Sequence, residues 1–148
     1  MHSMLNADDR ASILARLDRL TPTASAQWGK MNVTQMLAHM ADAMRMVLGD
    51  ISVKPKNMWL LRIGLVKKAV LYVFPFPKHA PTADELKSRV PKAFEEERAD
   101  LRVLIARLDP ANRAPRAAEH PVFGPMTTDE WGALGYKHTD HHFRQFGV

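Results

Sequence analysis

The chain has 148 residues and no cysteine, and its 21 Lys and Arg against 16 Asp and Glu give a net charge of +5. This length predicts a single domain, residues 1–148, that can bury a core of its own. The missing cysteines exclude disulfides and thiolate ligands, so any metal must be held by histidine, carboxylate or water.

The surplus of basic residues permits small anionic molecules as partners. Lys and Arg are dispersed along the chain and form no basic stripe interleaved with aromatic residues, so nucleic-acid binding is an alternative that ranks behind the other hypotheses. The chain contains no run of about 18 uncharged apolar residues, so no membrane span is expected. Its first residues contain no apolar secretion segment, and a cytoplasmic location is therefore expected.

The first helix is predicted over residues 8–20, and it ends where Pro22 follows, because proline cannot continue a helix. Its apolar face comprises Ile13, Leu14, Leu17 and Leu20. Trp28 lies in the short loop that follows. We interpret it as a plug at the end of a helical bundle, with a substrate-facing role as the alternative.

The second helix is predicted to start at Asn32, because Gln35 three residues later completes a capping box. Gly49 supplies its C-terminal stop. Its core stripe comprises Val33, Met36, Leu37, Met40, Met44, Val47 and Leu48. His39 lies about 100° from the centre of that stripe, at the boundary between core and solvent. It is interpreted either as a half-buried histidine or as one ligand of a metal site.

Residues 57–74 form a strongly apolar segment that also carries Arg62, Lys67 and Lys68. Apolar residues cover much of its circumference, which favours a buried or partner-facing helix that lines a subunit interface or a lid. An interfacial membrane helix is disfavoured because the few charges form no polar face. Residues 74–81 follow as a proline-stiffened connection in which His79 is expected to be a solvated loop residue.

Another helical stretch is predicted to begin at Thr82 or Asp84, and Pro91 restarts or kinks it. Over residues 91–108 the core face comprises Phe94, Leu101, Leu104, Ile105 and Leu108. Glu97 lies close to that face and is a candidate acid supporting a site indirectly. In the loop that runs on to Pro125, Phe123 is expected to act as an anchor. His120 is interpreted as structural, with an approach to the site as the alternative.

The last helix is predicted within residues 126–146. Thr127 and Glu130 form a capping box, and Met126 and Trp131 are placed for a hydrophobic staple. One stripe contains Trp131, Leu134, His138, His142 and Gln145, whereas Lys137, Asp140 and Arg144 fall on the opposite side. Asp140 is therefore expected at the surface or in a dimer contact.

His138 and His142 stand one helical turn apart on that inward stripe. Two such imidazoles can converge on one metal ion, because side chains at this spacing are neighbours on the helix surface. Taken alone, the spacing favours an ordinary pair of histidines, and Thr139 occupies the place where an H-E-x-x-H motif needs its glutamate. A metal site therefore needs a third ligand. The adjacent His141 lies about 60–70° off the stripe and ranks below His142 as a ligand.

These features occur in a recognisable order: Trp28 and a helical His39, a long middle segment, then His138-x-x-x-His142-x-x-Gln145. In this the chain resembles the DinB/YfiT-like family of metalloenzymes. The run H-P-V-F-G-P-M-T-T-D-E-W-G-x-L-x-x-K-H-T-D-H-H-x-R-Q-F, which starts at residue 120, resembles an uncharacterised branch of that family, a domain of unknown function. The resemblance spans nearly the whole chain. It is strongest over 28–44 and 120–147 and weak over 51–81.

The resemblance implies an all-α fold, an antiparallel four-helix bundle with an apolar helical insert between its second and third core helices. It implies a bundle that often dimerises and a divalent metal (zinc, nickel or iron) held by His39, His138 and His142. Better-understood relatives are thiol-dependent transferases and isomerases, so the expected activity is that of a transferase using a low-molecular-weight thiol on a small-molecule substrate, or of a hydrolase. The alternative is a non-catalytic metal-binding stress or interaction protein on the same bundle.

Overall fold

A computed structural model of the protein describes residues 1–76, 78, 86, 89–112, 115, 117 and 119–148. Over this part the chain is mostly helical, which confirms the predicted helical class. The helices are α1 (Ala7–Arg19), α2 (Val33–Val47), α3 (Trp59–Arg62), α4 (Gly64–Tyr72), α5 (Phe94–Arg107) and α6 (Thr128–Gln145). None of the described helices combines the length and apolarity needed to cross a membrane.

One small element was not signalled by the sequence. Strands β1 (Glu119–His120) and β2 (Gly124–Pro125) pair antiparallel in the loop before α6, with His120 opposite Gly124. Two residues per strand are too few for an alternating pattern to be recognised. Gly124 adopts a φ of 68°, which favours glycine and lets the chain turn back at this point.

The core lies between the four longer helices. Helix α2 packs on α5 and α6, and α1 packs on the same two helices. The predicted stripe residues of α2 are all buried, and so are Trp131 and Leu134 of α6. In α1, Ile13, Leu17 and Leu20 are buried, while Leu14 is half-buried against the core.

Both predicted capping boxes are confirmed. Asn32 Oδ1 accepts from the Gln35 backbone N–H at 2.8 Å, and Gln35 Oε1 accepts from the Asn32 N–H at 2.9 Å. At α6, Thr127 Oγ1 accepts from the Glu130 N–H at 3.2 Å, and Glu130 Oε2 accepts from the Thr127 N–H at 2.9 Å. These bonds satisfy backbone donors that a helix start leaves without intrahelical partners, and they fix where the two histidine-bearing helices begin.

The apolar middle segment is not the single helix that was predicted over residues 57–74. Ile63 is extended (φ −67°, ψ 122°) and separates α3 from α4. Leu71 is buried, but Trp59 is 65% exposed and Leu65 is 81% exposed. The buried alternative is therefore wrong for much of this segment, which presents an apolar surface to solvent. The partner-facing alternative stays a prediction.

Three basic side chains connect this segment to the rest of the chain through hydrogen bonds. Lys67 donates to Glu130 at 2.9 Å, and Arg62 donates to the Pro121 carbonyl at 3.4 Å. Lys137 of α6, which was predicted to point away from the core, donates to the carbonyl oxygens of Val70, Leu71 and Phe74. Its positive charge thus lies at the C-terminal end of α4, where a helix dipole favours a cation.

Two acidic residues form ion pairs within the chain. Asp140, which was expected at the surface or in a dimer contact, is partly exposed and accepts from Arg16 of α1 at 2.7 Å. Glu97 is fully buried and forms a two-pronged ion pair with Arg89, at 2.5 and 2.8 Å.

Part of the connection predicted over 74–81, including His79, lies outside the described residues. The same is true of the helix starts proposed at Thr82 and Asp84. Helix α5 begins at Phe94, three residues after the predicted restart at Pro91.

Candidate metal centre

Three histidines from two helices meet at one point. The Nε2 atom of His138 lies 3.2 Å from Nε2 of His39 and 3.1 Å from Nε2 of His142. One ligand atom from each residue lies within 4.8 Å of the others, so the group could hold a metal ion. The fold thus brings together the three histidines that were singled out as ligands, although His39 stands 99 positions before His138 in the chain.

Hydrogen bonds behind the rings assign the tautomers of two of these histidines. Nδ1 of His39 lies 3.2 Å from the carbonyl oxygen of Leu86. Nδ1 of His142 lies 2.8 Å from Oε1 of Gln145. Both partners are acceptors, so each Nδ1 carries the hydrogen and each Nε2 is left with its lone pair.

The orientation of the Gln145 amide is fixed independently. Its Nε2 atom donates to the backbone carbonyl of Trp28 at 2.5 Å, which leaves Oε1 turned towards His142. The loop around Trp28 therefore helps to orient a ligand of the candidate site. Trp28 itself is half-buried, and its ring lies edge-on to that of His141, with 5.6 Å between the ring centroids.

This arrangement of nitrogens fits a cation. The lone pairs on Nε2 of His39 and on Nε2 of His142 both face Nε2 of His138. That atom carries at most one hydrogen, so it can donate to only one of them. A tetrahedral ion with Zn–N bonds of 2.0–2.1 Å holds its nitrogens about 3.3 Å apart, close to the 3.1 and 3.2 Å measured here. A single divalent ion bound to one nitrogen of each histidine would satisfy all three rings.

Two of the three histidines are in the protonation state that a metal requires. Burial lowers the pKa of His138 well below its usual value, and the neighbouring His142 and His39 lower it further. Burial lowers the pKa of His142 to about 3. Imidazoles that stay neutral at pH 7 need not release a proton before they bind a metal.

A cavity of about 340 Å³ opens beside the three histidines. Its walls are mostly apolar and include Met44, Leu61, Val70, Phe76, Val122 and Leu134. The charged residues that line it are Lys30, Lys56 and Lys78, and within the described part of the chain no Asp or Glu does so. The described lining therefore offers imidazole and ammonium groups, and no carboxylate, for proton transfer.

Two further histidines line the cavity without belonging to the three-nitrogen group. His141 is half-buried, with its ring 5.1 Å from that of Phe76. His120 accepts at Nδ1 from the backbone N–H groups of Val122 and Phe123, at 3.1 and 3.2 Å. Burial lowers the pKa of His120 to about 4.

Sequence reasoning missed several parts of this site. The Leu86 carbonyl carries no side-chain signal, and the stacking of Phe76 on His138, at 5.3 Å, joins residues far apart in the chain. The role of Gln145 did have a signal, because it follows His142 by three positions on the same inward stripe. Glu97, considered as a supporting acid, is engaged by Arg89 instead.

Comparison with known proteins gives one match. The profile of a family described as "Protein of unknown function (DUF1569)" matches residues 2–147. No curated protein and no solved structure matches significantly. The activity must therefore be inferred from the residues themselves.

Proposed function

The chain belongs to the DUF1569 family of proteins of unknown function, and from its own residues we propose that it is a divalent-metal-dependent enzyme. His39, His138 and His142 are its metal ligands. The observation that carries the proposal is the convergence of three imidazole rings beside a cavity. Two of these rings, those of His39 and His142, are oriented by hydrogen bonds at Nδ1. Three protein ligands leave a fourth position open, which is typical of catalytic sites.

When bound, such an ion lowers the pKa of a coordinated water or thiol towards 7 or polarises a substrate carbonyl. The chain's own residues prepare the site for this chemistry. The Leu86 carbonyl and Gln145 orient the rings of His39 and His142, and Phe76 stacks on His138. The apolar cavity walls limit access of bulk water to the reacting groups.

The substrate is a small molecule, and the reaction is transfer to a low-molecular-weight thiol or a hydrolysis. The resemblance to DinB/YfiT-like proteins supports the transferase, because thiol-dependent relatives are known in that family. Zinc, nickel and iron all suit imidazole ligands, so the ligand set favours none of them. Conjugation assays with glutathione, bacillithiol and mycothiol test the transferase, and silence with all three contradicts it.

The proposal includes the DinB-like architecture. Helices α1, α2, α5 and α6 would be the four helices of one bundle domain, residues 1–148, with α3 and α4 as the insert between the second and third. The packing of α2 and α1 on both α5 and α6 supports this assignment. A cytoplasmic location belongs to the same proposal.

We also propose a homodimer that uses the apolar surface of α3 and α4. Exposed large apolar side chains are grouped in this segment: Trp59, Leu60, Ile63, Leu65, Val73 and Phe74. Grouped apolar surface of this kind marks interaction sites more often than scattered single residues do.

One further candidate function has a specific observation in its favour. The described lining of the cavity contains no carboxylate to act as a general base, which suits a metal-binding stress or interaction protein without catalysis. A protein that bound metal and thiol but turned over no substrate would support this alternative.

Elemental analysis of untagged protein tests the ligand set. We expect about one equivalent of metal in the wild type and a loss of most of it in His39→Ala, His138→Ala and His142→Ala. His141→Ala is the matched control, because His141 lines the same cavity but lies outside the three-nitrogen group. Full metal content in each of the three ligand variants would contradict the proposal.

A further inference from the structure

Among the described residues, the charged side chains that line the cavity beside the candidate metal site are all lysines. Lys30 and Lys78 are exposed at its edge, Lys56 also lines it, and within the described residues no acidic side chain contributes to its wall. A bound divalent ion would add to this positive charge. Lining of one sign attracts ligands of the opposite sign and repels cations.

His120 adds a donor whose direction is fixed. Its Nδ1 accepts two backbone N–H groups, from Val122 and Phe123, so in the neutral ring the hydrogen must be on Nε2. Ring contacts hold it in place, at 4.9 Å from Phe123 and 5.4 Å from Trp131. His120 lines the cavity together with His138.

The other described residues that line the cavity are mostly apolar, and they indicate what the uncharged part of a ligand should be. Met44, Leu61 and Val70 come from three different helices and present aliphatic or thioether surface. A cavity of about 340 Å³ is at the small end of the range of ligand sites. It therefore suits a compact apolar body with few polar groups.

We propose that this cavity binds a small molecule with an apolar body and one carboxylate, and that Nε2–H of His120 donates to a carboxylate oxygen. The molecule's role as a substrate rests on the proposed function, whereas its binding does not require the metal. The lysines would repel a cationic amphiphile of the same size. A neutral amide would gain the hydrogen bond from His120 but no electrostatic attraction to the lysines.

Thermal unfolding with a matched set of ligands tests the class. Octanoate, octanamide and octylammonium share one chain length and differ in charge. Octanoate at ten times its dissociation constant should raise the melting temperature by about 3–6 °C. At the same concentration octanamide should raise it less, and octylammonium should leave it unchanged. An equal or larger shift with octylammonium, or no shift with octanoate, would overturn the proposal.

His120→Asn separates the two roles of His120. The asparagine oxygen can take the place of Nδ1 as the acceptor for Val122 and Phe123, but no N–H remains at the Nε2 position. We expect the unliganded melting temperature to stay close to that of wild type and octanoate to bind roughly tenfold more weakly. Unchanged octanoate affinity would overturn the assignment of His120 as the donor.

A second variant keeps the test decisive if His120→Asn does not fold. Lys30 is exposed, so Lys30→Glu should fold normally. It should weaken octanoate binding at low salt and leave octanamide binding unchanged. An unchanged preference for octanoate over octanamide would overturn the charge argument.

All ligands are measured on metal-free protein prepared with a chelator and on zinc-loaded protein. Octanoate binding in the metal-free protein, with no metal taken up by the wild type, would contradict the proposed metal enzyme and support the cavity proposal. Metal uptake without any preference for octanoate over the other ligands would support the proposed metal enzyme and contradict the cavity proposal. The two proposals thus fail separately.

Discussion

Gln145 holds His142 in position from three residues away on the same helix. Its Oε1 atom lies 2.8 Å from Nδ1 of His142, and its Nε2 donates to the Trp28 carbonyl at 2.5 Å. The Gln145 backbone carbonyl also accepts from the Gln27 N–H at 2.7 Å. The loop after α1 is thereby linked through one side chain to a nitrogen of the candidate metal site.

The first prediction concerns this link. Gln145→Leu removes the acceptor for Nδ1–H of His142 and leaves that ring free to turn. Loss of such a supporting partner typically weakens metal binding about 10–100-fold. Competition with a chromophoric zinc chelator measures the change.

Gln145→Glu is the matched control for that substitution. It keeps an oxygen near Nδ1 of His142, so it should retain tighter zinc binding than Gln145→Leu even though the bond to Trp28 is lost. Equal zinc affinity in wild type and Gln145→Leu would show that the amide plays no part in the site.

The second prediction concerns pH. Burial lowers the folded-state pKa of His120 to about 4, from an ordinary 6.5. Below pH 6.5 the His120 ring binds a proton in the unfolded chain, whereas in the folded protein it stays neutral until the pH approaches 4. This histidine therefore lowers the free energy of unfolding as pH falls towards 4, by up to about 1.4 kcal/mol per pH unit.

Urea unfolding of metal-free wild type and His120→Asn at pH 7.5 and 5 measures this contribution. The variant should lose less stability on acidification, because it lacks the titrating ring, while His138 and His142 contribute to both proteins. Carboxylates such as Glu130 are present in both proteins, so their contribution cancels in the comparison. Equal losses in the two proteins would contradict the prediction.

The third prediction concerns the buried ion pair of Arg89 and Glu97. Arg89→Met leaves the fully buried Glu97 carboxylate without its cation. Breaking one side of a buried pair commonly costs about 3–5 kcal/mol, and because Arg89 is partly exposed we expect about 3 kcal/mol in urea unfolding. The double variant Arg89→Met, Glu97→Leu should recover part of this loss.

Arg98 provides the control for the ion-pair prediction. Its partner Glu95 is well exposed, and exposed pairs contribute roughly 0–1 kcal/mol. Arg98→Met should therefore cost under about 1 kcal/mol. A similar loss in Arg89→Met and Arg98→Met would contradict a special role for the buried pair.

The fourth prediction concerns the proposed dimer. Leu65 is 81% exposed, so little of its side chain is buried in this structure. Leu65→Lys should leave the melting temperature nearly unchanged but shift the protein from dimer to monomer in sedimentation velocity. Val103→Lys, at a 61% exposed residue of α5, is the control and should leave the dimer intact. A monomeric wild type would refute the proposed interface.

The sequence was most informative where one short stretch decides the structure. Asn32 with Gln35, and Thr127 with Glu130, predicted both capping boxes because all the atoms involved lie within one turn. The stripe of α2 followed from the helical period in the same way. The spacing of His138 and His142 on one face was equally readable.

The parts that could not be predicted depend on contacts between distant residues. Nothing near His39 indicates that the Leu86 carbonyl accepts from its ring, and nothing near Glu97 shows that Arg89 neutralises it. His120 was identified as a candidate, but its tautomer follows from a turn that only the folded chain defines.

The hydrogen bonds that hold α3 and α4 in place have a consequence for the cavity. Lys67, Arg62 and Lys137 attach these helices to α6 and to the loop before it, and α3 and α4 supply one wall of the cavity. Movement of α3 or α4 away from the cavity would break several of these hydrogen bonds. This wall of the cavity is therefore tied to the helix that carries His138 and His142.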